Sequence, residues 1–405
     1  MRVFKVLKSF FVLISFMMVF KIALCNSNTK LRLTVSKDNV FLLDGRKAYS
    51  HGINYPNAFS NLTLSSEASL PAKEKKFIAD LELFKAYNIP FFRTQISGYW
   101  PLNWNLYLTD KEEFFERLDF LVSESEKRNI GVIFTFLSSQ FSIPDIMKEP
   151  VSKWGDRNSD TRDFFKKFTL EIVQRYKDSR AVWAWEFAEN FLYLCDLPGS
   201  ENGLFPVSEK MGTPRKRTLK DKITRKMIYP VLEEFCKNIR SLDKIRPIFL
   251  GDRFPRRSSF NNINGRWSTD TPQVRERLMI KDNSEFDALS VHLFNNADLI
   301  KLYGEKETFE SLLEFSLKAA KKARKPLFLG EWGWSNDSAK SEYFFTDKAF
   351  EEALLAIEKL KPQLTAFWVY DLSYQPVNST SATKNTYVLE ALKKLNKAEI
   401  QNLEN

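Results

Sequence analysis

The chain has 405 residues, 43% hydrophobic, 14% aromatic and 28% charged, with a formal net charge of +10. That length holds one large domain or two small ones, and so thin a charge surplus does not imply a nucleic-acid or membrane partner. Three cysteines and two histidines, with no cysteine pair at ligand spacing, exclude a disulfide-built scaffold and argue against a zinc site.

Arg2, Lys5 and Lys8 precede an apolar run, SFFVLISFMMVF over 9–20, and Ala23, Leu24 and Cys25 follow it. The run is short for a bilayer span, and the small residues suit a signal peptidase. Residues 1–25 are therefore expected to be a secretory signal and residues 26–405 a single secreted or periplasmic domain. Lys21, directly after the run, leaves an uncleaved anchor as the alternative. Cys195 and Cys236 would remain, able to pair in an oxidising compartment. Sequons stand at Asn61, Asn336 and Asn378.

Residues 31–48, LRLTVSKDNVFLLDGRKA, read as a hairpin that could cover a barrel floor. Eight short apolar runs follow: 48–55, 90–96, 131–137, 181–188, 247–252, 286–294, 325–332 and 365–372. Helical patterns lie between them. Over 109–128, Thr109 and Glu112 form a capping box, and Phe114, Leu118 and Leu121 recur at helical spacing. Over 347–360, Asp347 caps and Phe350, Leu354 and Ile357 share one face. Apolar strands alternating with helices imply a parallel sheet buried on both faces. The closed form is the (β/α)₈ TIM barrel. The open doubly wound sheet competes, but it usually carries a glycine-rich loop after its first strand, and NYPNAFSN has no glycine. The longest connection is 191–220. The basic run TPRKRTLKDKITRK (213–226) lacks interleaved aromatics and reads as solvated.

In such a barrel the site lies at the C-terminal ends of the strands. The first run ends in Asn54 and Tyr55, and the second carries Arg93. The fourth ends in Glu189 and Asn190, with Glu186 deeper in the same run. The sixth ends in His292, with Phe294 after it. The seventh ends in Glu331, flanked by Trp332 and Trp334, and the eighth carries Trp368, Tyr370 and Asp371. Loop residues Trp100, Trp104 and Trp267 could line a cleft. Any one of these has a bland reading as a cap, an ion pair or core. Carboxylates, Arg, His and Trp at the same end of one barrel together suit sugar chemistry, with indole faces under sugar rings and polar groups on the hydroxyls.

The set HGINYP (51–56), FFRTQ, WEFAEN (185–190), GTPRKRT (212–218), RPIFLGDRFPR (246–256), DALSVHLF (287–294), LGEWG (329–333) and Trp368 resembles the cellulase family, glycoside hydrolase family 5, and especially its bacterial secreted members. The resemblance covers most of the mature chain. It implies a retaining glycosidase acting on β-linked glucan- or mannan-type oligo- or polysaccharide, without a cofactor and as a monomer. Glu331 matches the nucleophile, Arg93 and His292 the groups that hold it, and Trp368 the sugar platform. Asn54, Asn190 and Trp332 fall among the substrate-binding positions. The family's fourth strand ends W-E-x-x-N-E, its Asn on the sugar 2-hydroxyl and its last Glu the acid/base. Here the order is Glu189 then Asn190. The usual His of the third strand is absent, and Phe294 replaces a Tyr that would bond the nucleophile. Three readings follow: a hydrolase with Glu189 as acid/base, a carbohydrate-binding pseudoenzyme, and a family member acting on a substrate whose good leaving group needs little acid help.

Overall fold

A computed structural model of the chain describes residues 33–404, apart from 65–67, 196, 198–204, 296–298, 305–306, 334–346 and 377. The signal segment, Trp334, the Asn336 sequon and the side chain of Asp347 lie outside the described residues.

Eight strands form the barrel: β4 (Ser50–Asn54), β5 (Phe91–Gln95), β6 (Gly131–Leu137), β7 (Val182–Ala188), β8 (Ile248–Phe249), β9 (Leu289–Phe294), β10 (Leu327–Gly333) and β11 (Leu364–Phe367). They pair in parallel in the order β8-β7-β6-β5-β4-β11-β10-β9. The seam between β8 and β9 closes through backbone bonds from Asp287 N to Ile248 O (3.0 Å), His292 N to Asp252 O (2.8 Å) and Phe254 N to His292 O (3.1 Å). This is a (β/α)₈ TIM barrel, with helices between the strands.

The pleat sorts side chains by parity. On β7, Trp185 and Phe187 face the helices: Phe187 packs on Phe235 at 5.3 Å, and Trp185 Nε1 donates to Asp243 at 2.9 Å. Glu186 faces the barrel axis, where Arg93 meets it. The segment before the barrel is a three-stranded antiparallel sheet, β1 (Leu33–Val35), β2 (Phe41–Leu43) and β3 (Arg46–Lys47). Its Leu33 and Phe41 pack on Phe91, Ile133, Phe249 and Phe328, so it covers the barrel floor as expected.

Three expectations change. Asp110, not Thr109, caps helix Lys111–Lys127, accepting from Glu113 N at 3.0 Å; Thr109 ends the preceding short helix, its hydroxyl turned to Asn105 O. The last strand stops at Phe367 rather than Leu372, and the Trp368–Val369 peptide that follows is cis. Cys195 and Cys236 are buried and do not pair with each other. Among the described residues, no helix is long and apolar enough to cross a membrane.

Candidate active site

Arg93 sits at the centre of the barrel mouth. Its Nε donates to Glu186 of β7, and its Nη1 to Glu331 Oε1 of β10 at 2.8 Å and to Asn54 Oδ1 of β4 at 2.9 Å. Asn54 Nδ2 donates in turn to Gly330 O, Ala366 O and Phe367 O at 2.9–3.2 Å, which ties β4 to β10 and β11. Thr135 of β6 donates to Glu186 at 2.6 Å. Side chains from five strands thus hold one guanidinium and two carboxylates together.

His292 of β9 completes the group. Its Nδ1 lies 2.8 Å from Asn190 Oδ1 and 3.3 Å from Glu331 Oε1. Both neighbours are acceptors, so the proton of the neutral ring sits on Nδ1. The ring stays neutral because burial, then the charges of Arg93 and Arg253, push its pKa well below the usual histidine value. Gly330 makes room for the imidazole: a Cβ there would come within 2.9 Å of His292 Nε2. The register of β10 against β9 shifts between Leu329 and Glu331, next to this glycine.

Glu189 and Asn190 leave β7 in different directions. Glu189 N bonds Leu137 O on one side, and Asn190 N bonds Gly251 O on the other. The Glu189 carboxylate, half-buried, accepts from Gln95 Nε2 of β5, whereas Asn190 turns to His292. Asn190 has φ +55°, the left-handed region that Asn tolerates better than other non-glycine residues. Burial raises the pKa of Glu189, Glu186 adds to the rise, and Arg93 and Arg253 oppose it. Burial likewise pushes Glu331 up to about 8 against the pull of Arg93, with the Glu189 charge adding to the rise. The Glu189 charge resists ionisation of Glu331, so the two carboxylates titrate as a pair that favours keeping one proton.

Trp368 stands beyond β11, edge-on to Phe294 at 6.5 Å, its Nε1 donating to Gln375 at 2.9 Å. Trp332 is a correction. It is fully buried, stacks on Phe350 at 5.9 Å and faces the helices, because it is one pleat away from Glu331. Asn54 is another: its Oδ1 holds Arg93 and its Nδ2 holds three backbone carbonyls, so both ends of the amide are engaged within the protein. Trp267 is 81% exposed and stands away from the cavity that Trp100 and Trp104 line. Glu186 is buried beneath Arg93 and offers no route to a glycosidic oxygen.

Sequence reasoning missed Gln95, Thr135 and Arg253. Gln95 was legible: it lies two residues after Arg93 on one strand and so shares its face. The Arg253 guanidinium lies between the rings of Tyr193 (5.2 Å) and Phe294 (5.4 Å), and its backbone bridges to His292. It puts a cation beside the phenyl ring that stands where the family pattern has a tyrosine.

The family model described as cellulase (glycosyl hydrolase family 5) matches residues 64–371. The chain belongs to glycosyl hydrolase family 5. As a member it is an O-glycosyl hydrolase of the cellulase and mannanase type, whose substrates are β-linked glycans. No curated protein matches the chain. Solved family 5 folds resemble it at low identity. An endo-1,4-β-D-mannanase from Thermotoga petrophila is 13% identical, with a TM-score of 0.59 over 87% of this chain and 99% of that one. A family 5 mannosidase from Rhizomucor miehei is 12% identical, with a TM-score of 0.62 over 92% and 99%. An endoglucanase from Pseudomonas stutzeri is 13% identical, with a TM-score of 0.51 over 86% and 93%. At such identities the likeness shows the fold alone.

Proposed function

We propose that the protein is a secreted retaining β-glycosidase in which Glu331 is the nucleophile and Glu189 the acid/base. The observation that carries this is the unequal setting of the two carboxylates. Glu331 touches a guanidinium at 2.8 Å and an imidazole N–H at 3.3 Å, whereas the contact of Glu189 is a neutral amide. The shared proton then rests on Glu189, and the charge on Glu331. That is the division a double displacement needs: an ionised nucleophile and a protonated acid. Glu331 attacks the anomeric carbon as Glu189 protonates the leaving oxygen. Glu189 then takes a proton from the water that releases the sugar. Arg93 and His292 hold the nucleophile, and Trp368 supports the ring. Secretion rests on the basic, apolar and small-residue order of residues 1–25.

A second reading, a sugar-binding protein with a silent site, draws on Asn190 and Phe294. Asn190 is committed to His292 rather than to a sugar hydroxyl, and Phe294 gives Glu331 no hydrogen bond. A panel of β-glucans, β-mannans and aryl β-glycosides decides between them. The wild type should cleave at least one, and Glu331→Gln should lose about 10³-fold or more in kcat, as removal of a nucleophile or equivalent charge does. Wild-type-like turnover in Glu331→Gln would contradict the assignment. Binding without cleavage of any member would favour the silent site.

A further inference from the structure

A cavity of about 580 Å³ opens at the exits of β4 and β5, within the ~300–1,000 Å³ usual for small-ligand pockets. It adjoins the catalytic group. Gln95, which bonds Glu189, forms part of its wall, and Tyr99 and Tyr374 line it within electrostatic reach of Glu189.

The walls differ from top to bottom. The rim carries amides and exposed rings, Asn57 and Tyr99 among them, as a sugar site should. The floor does not. Phe59, Ile96 and Phe114 are buried there, Phe59 and Phe114 meeting edge to face at 5.0 Å, and the half-buried Leu106 and the exposed Leu64 add to the lining. A bare sugar unit carries a hydroxyl on nearly every carbon. Sunk onto this floor, those hydroxyls lose their water partners and find none in return. An acyl group fits the same space. Its methyl end is apolar, and its ester carbonyl can accept from the rim amides.

We propose that this cavity is a subsite for a sugar unit bearing an O-acyl group, next to the unit held at the catalytic carboxylates. The proposal rests on the glycosidase reading above. It makes the enzyme one for acylated β-linked chains rather than for bare ones, with Leu64 and Leu106 among the residues that set the preference.

The test uses the full chain with matched β-mannan and β-glucan oligosaccharides, O-acetylated and chemically deacetylated. The kcat/KM should favour the acetylated member of a pair by roughly fourfold or more, the factor for burying one methyl group, with the difference in KM. Leu64→Asn and Leu106→Asn should bring that ratio close to one. Binding to Glu331→Gln, read by tryptophan fluorescence, reports on the cavity without turnover. Acetyl-dependent binding without wild-type cleavage would keep the cavity assignment and end the hydrolase reading. Cleavage with equal or better use of deacetylated chains would keep the hydrolase and overturn the cavity assignment. Neither binding nor cleavage of any pair would end both.

Discussion

The exchanged order Glu189-Asn190 has a backbone reason. Residue 190 sits at φ +55°, and a Glu there would carry the steric penalty of the left-handed region, about 1–2 kcal/mol, which Asn largely escapes. The chain turns sharply at that point. The turn sends the preceding residue toward Gln95 and the mouth, and the amide toward His292. So a carboxylate one position early need not be a misplaced one. Two explanations of the exchange give opposite outcomes for Glu189→Asn with Asn190→Glu. If Glu189 is the acid, the double change removes it, strains residue 190 and breaks the His292 contact. Turnover of aryl glycosides and of unactivated chains should then both fall, the unactivated chains by 10²–10⁴-fold, the usual worth of general acid catalysis. If residue 190 is the acid position, unactivated chains should instead gain far more than aryl glycosides. A gain of that kind would show that strand parity, not the turn, governs where the carboxylate points.

At the scale of elements, what was legible and what was not divide on one physical line. Apolar runs located all eight strands, because a strand buried on both faces must be apolar throughout. The same runs could not say where β11 ends. Val369, Tyr370 and Leu372 are as buried as a strand, yet regular pairing ends at Phe367: Trp368 N and Tyr370 N still bond Trp332 O and Asn54 O at 2.8 Å each, but Tyr370 bridges to Thr380. Burial, not extension, sets that composition. Trp332 neighbours Glu331 in sequence but not in the cleft, since the pleat puts neighbours on opposite faces. The role of Asp80 was invisible, since nothing in a helix sequence says what its polar face will meet. Asp80, inside helix Leu70–Ala86, accepts from Tyr55 Oη (2.7 Å), Tyr370 Oη (2.7 Å) and Lys76 Nζ (2.8 Å), and Lys76 also reaches Asp371 at 2.6 Å. This cluster latches the end of β4 to the loop that carries Trp368. Asp80→Asn should therefore cost more than Tyr55→Phe or Tyr370→Phe alone, by about 1.5–3 kcal/mol for charge-assisted bonds, read as a drop in the urea midpoint. It should also raise KM for oligosaccharides more than it lowers kcat, because the platform loop loosens while the carboxylates stay with Arg93. Equal costs for the three variants would show that the Asp80 charge is not the latch.

For the whole molecule, the two histidines act at opposite ends of the barrel. His292 serves the mouth, and His51 lies where the chain closes on itself. His51 N and O bond Asn396 of the C-terminal helix at 2.9 Å each, and its Nδ1 is 2.9 Å from Thr365 Oγ1 of β11. First barrel strand, last barrel strand and last helix meet at this one residue, and the partners of its ring and backbone here are neutral. Burial lowers the pKa of His51 to about 4 from its ordinary 6.5. The sign of the linkage follows. Between those two values the unfolded chain binds a proton that the fold refuses, so this contribution to stability is full above pH 6.5 and is lost as pH falls toward 4. The whole loss is about 3 kcal/mol. Asp252 works from the other side: burial raises it to about 7, so what it contributes is full at low pH and is lost as pH rises through that value. The fold is squeezed from both directions, and subtracting a variant from the wild type isolates one group. His51→Asn keeps a polar atom near the Nδ1 position and removes the titration. It should melt below the wild type at pH 7, where the native packing is lost for nothing. At pH 4.5 the gap should close or reverse, because only the wild type then has a proton to refuse. Thermal midpoints of the two proteins at the two pH values measure this directly, with the other titrating groups, Asp252 among them, cancelling in the difference. A gap that is the same at pH 7 and pH 4.5 would place the acid sensitivity of the closure elsewhere than on His51.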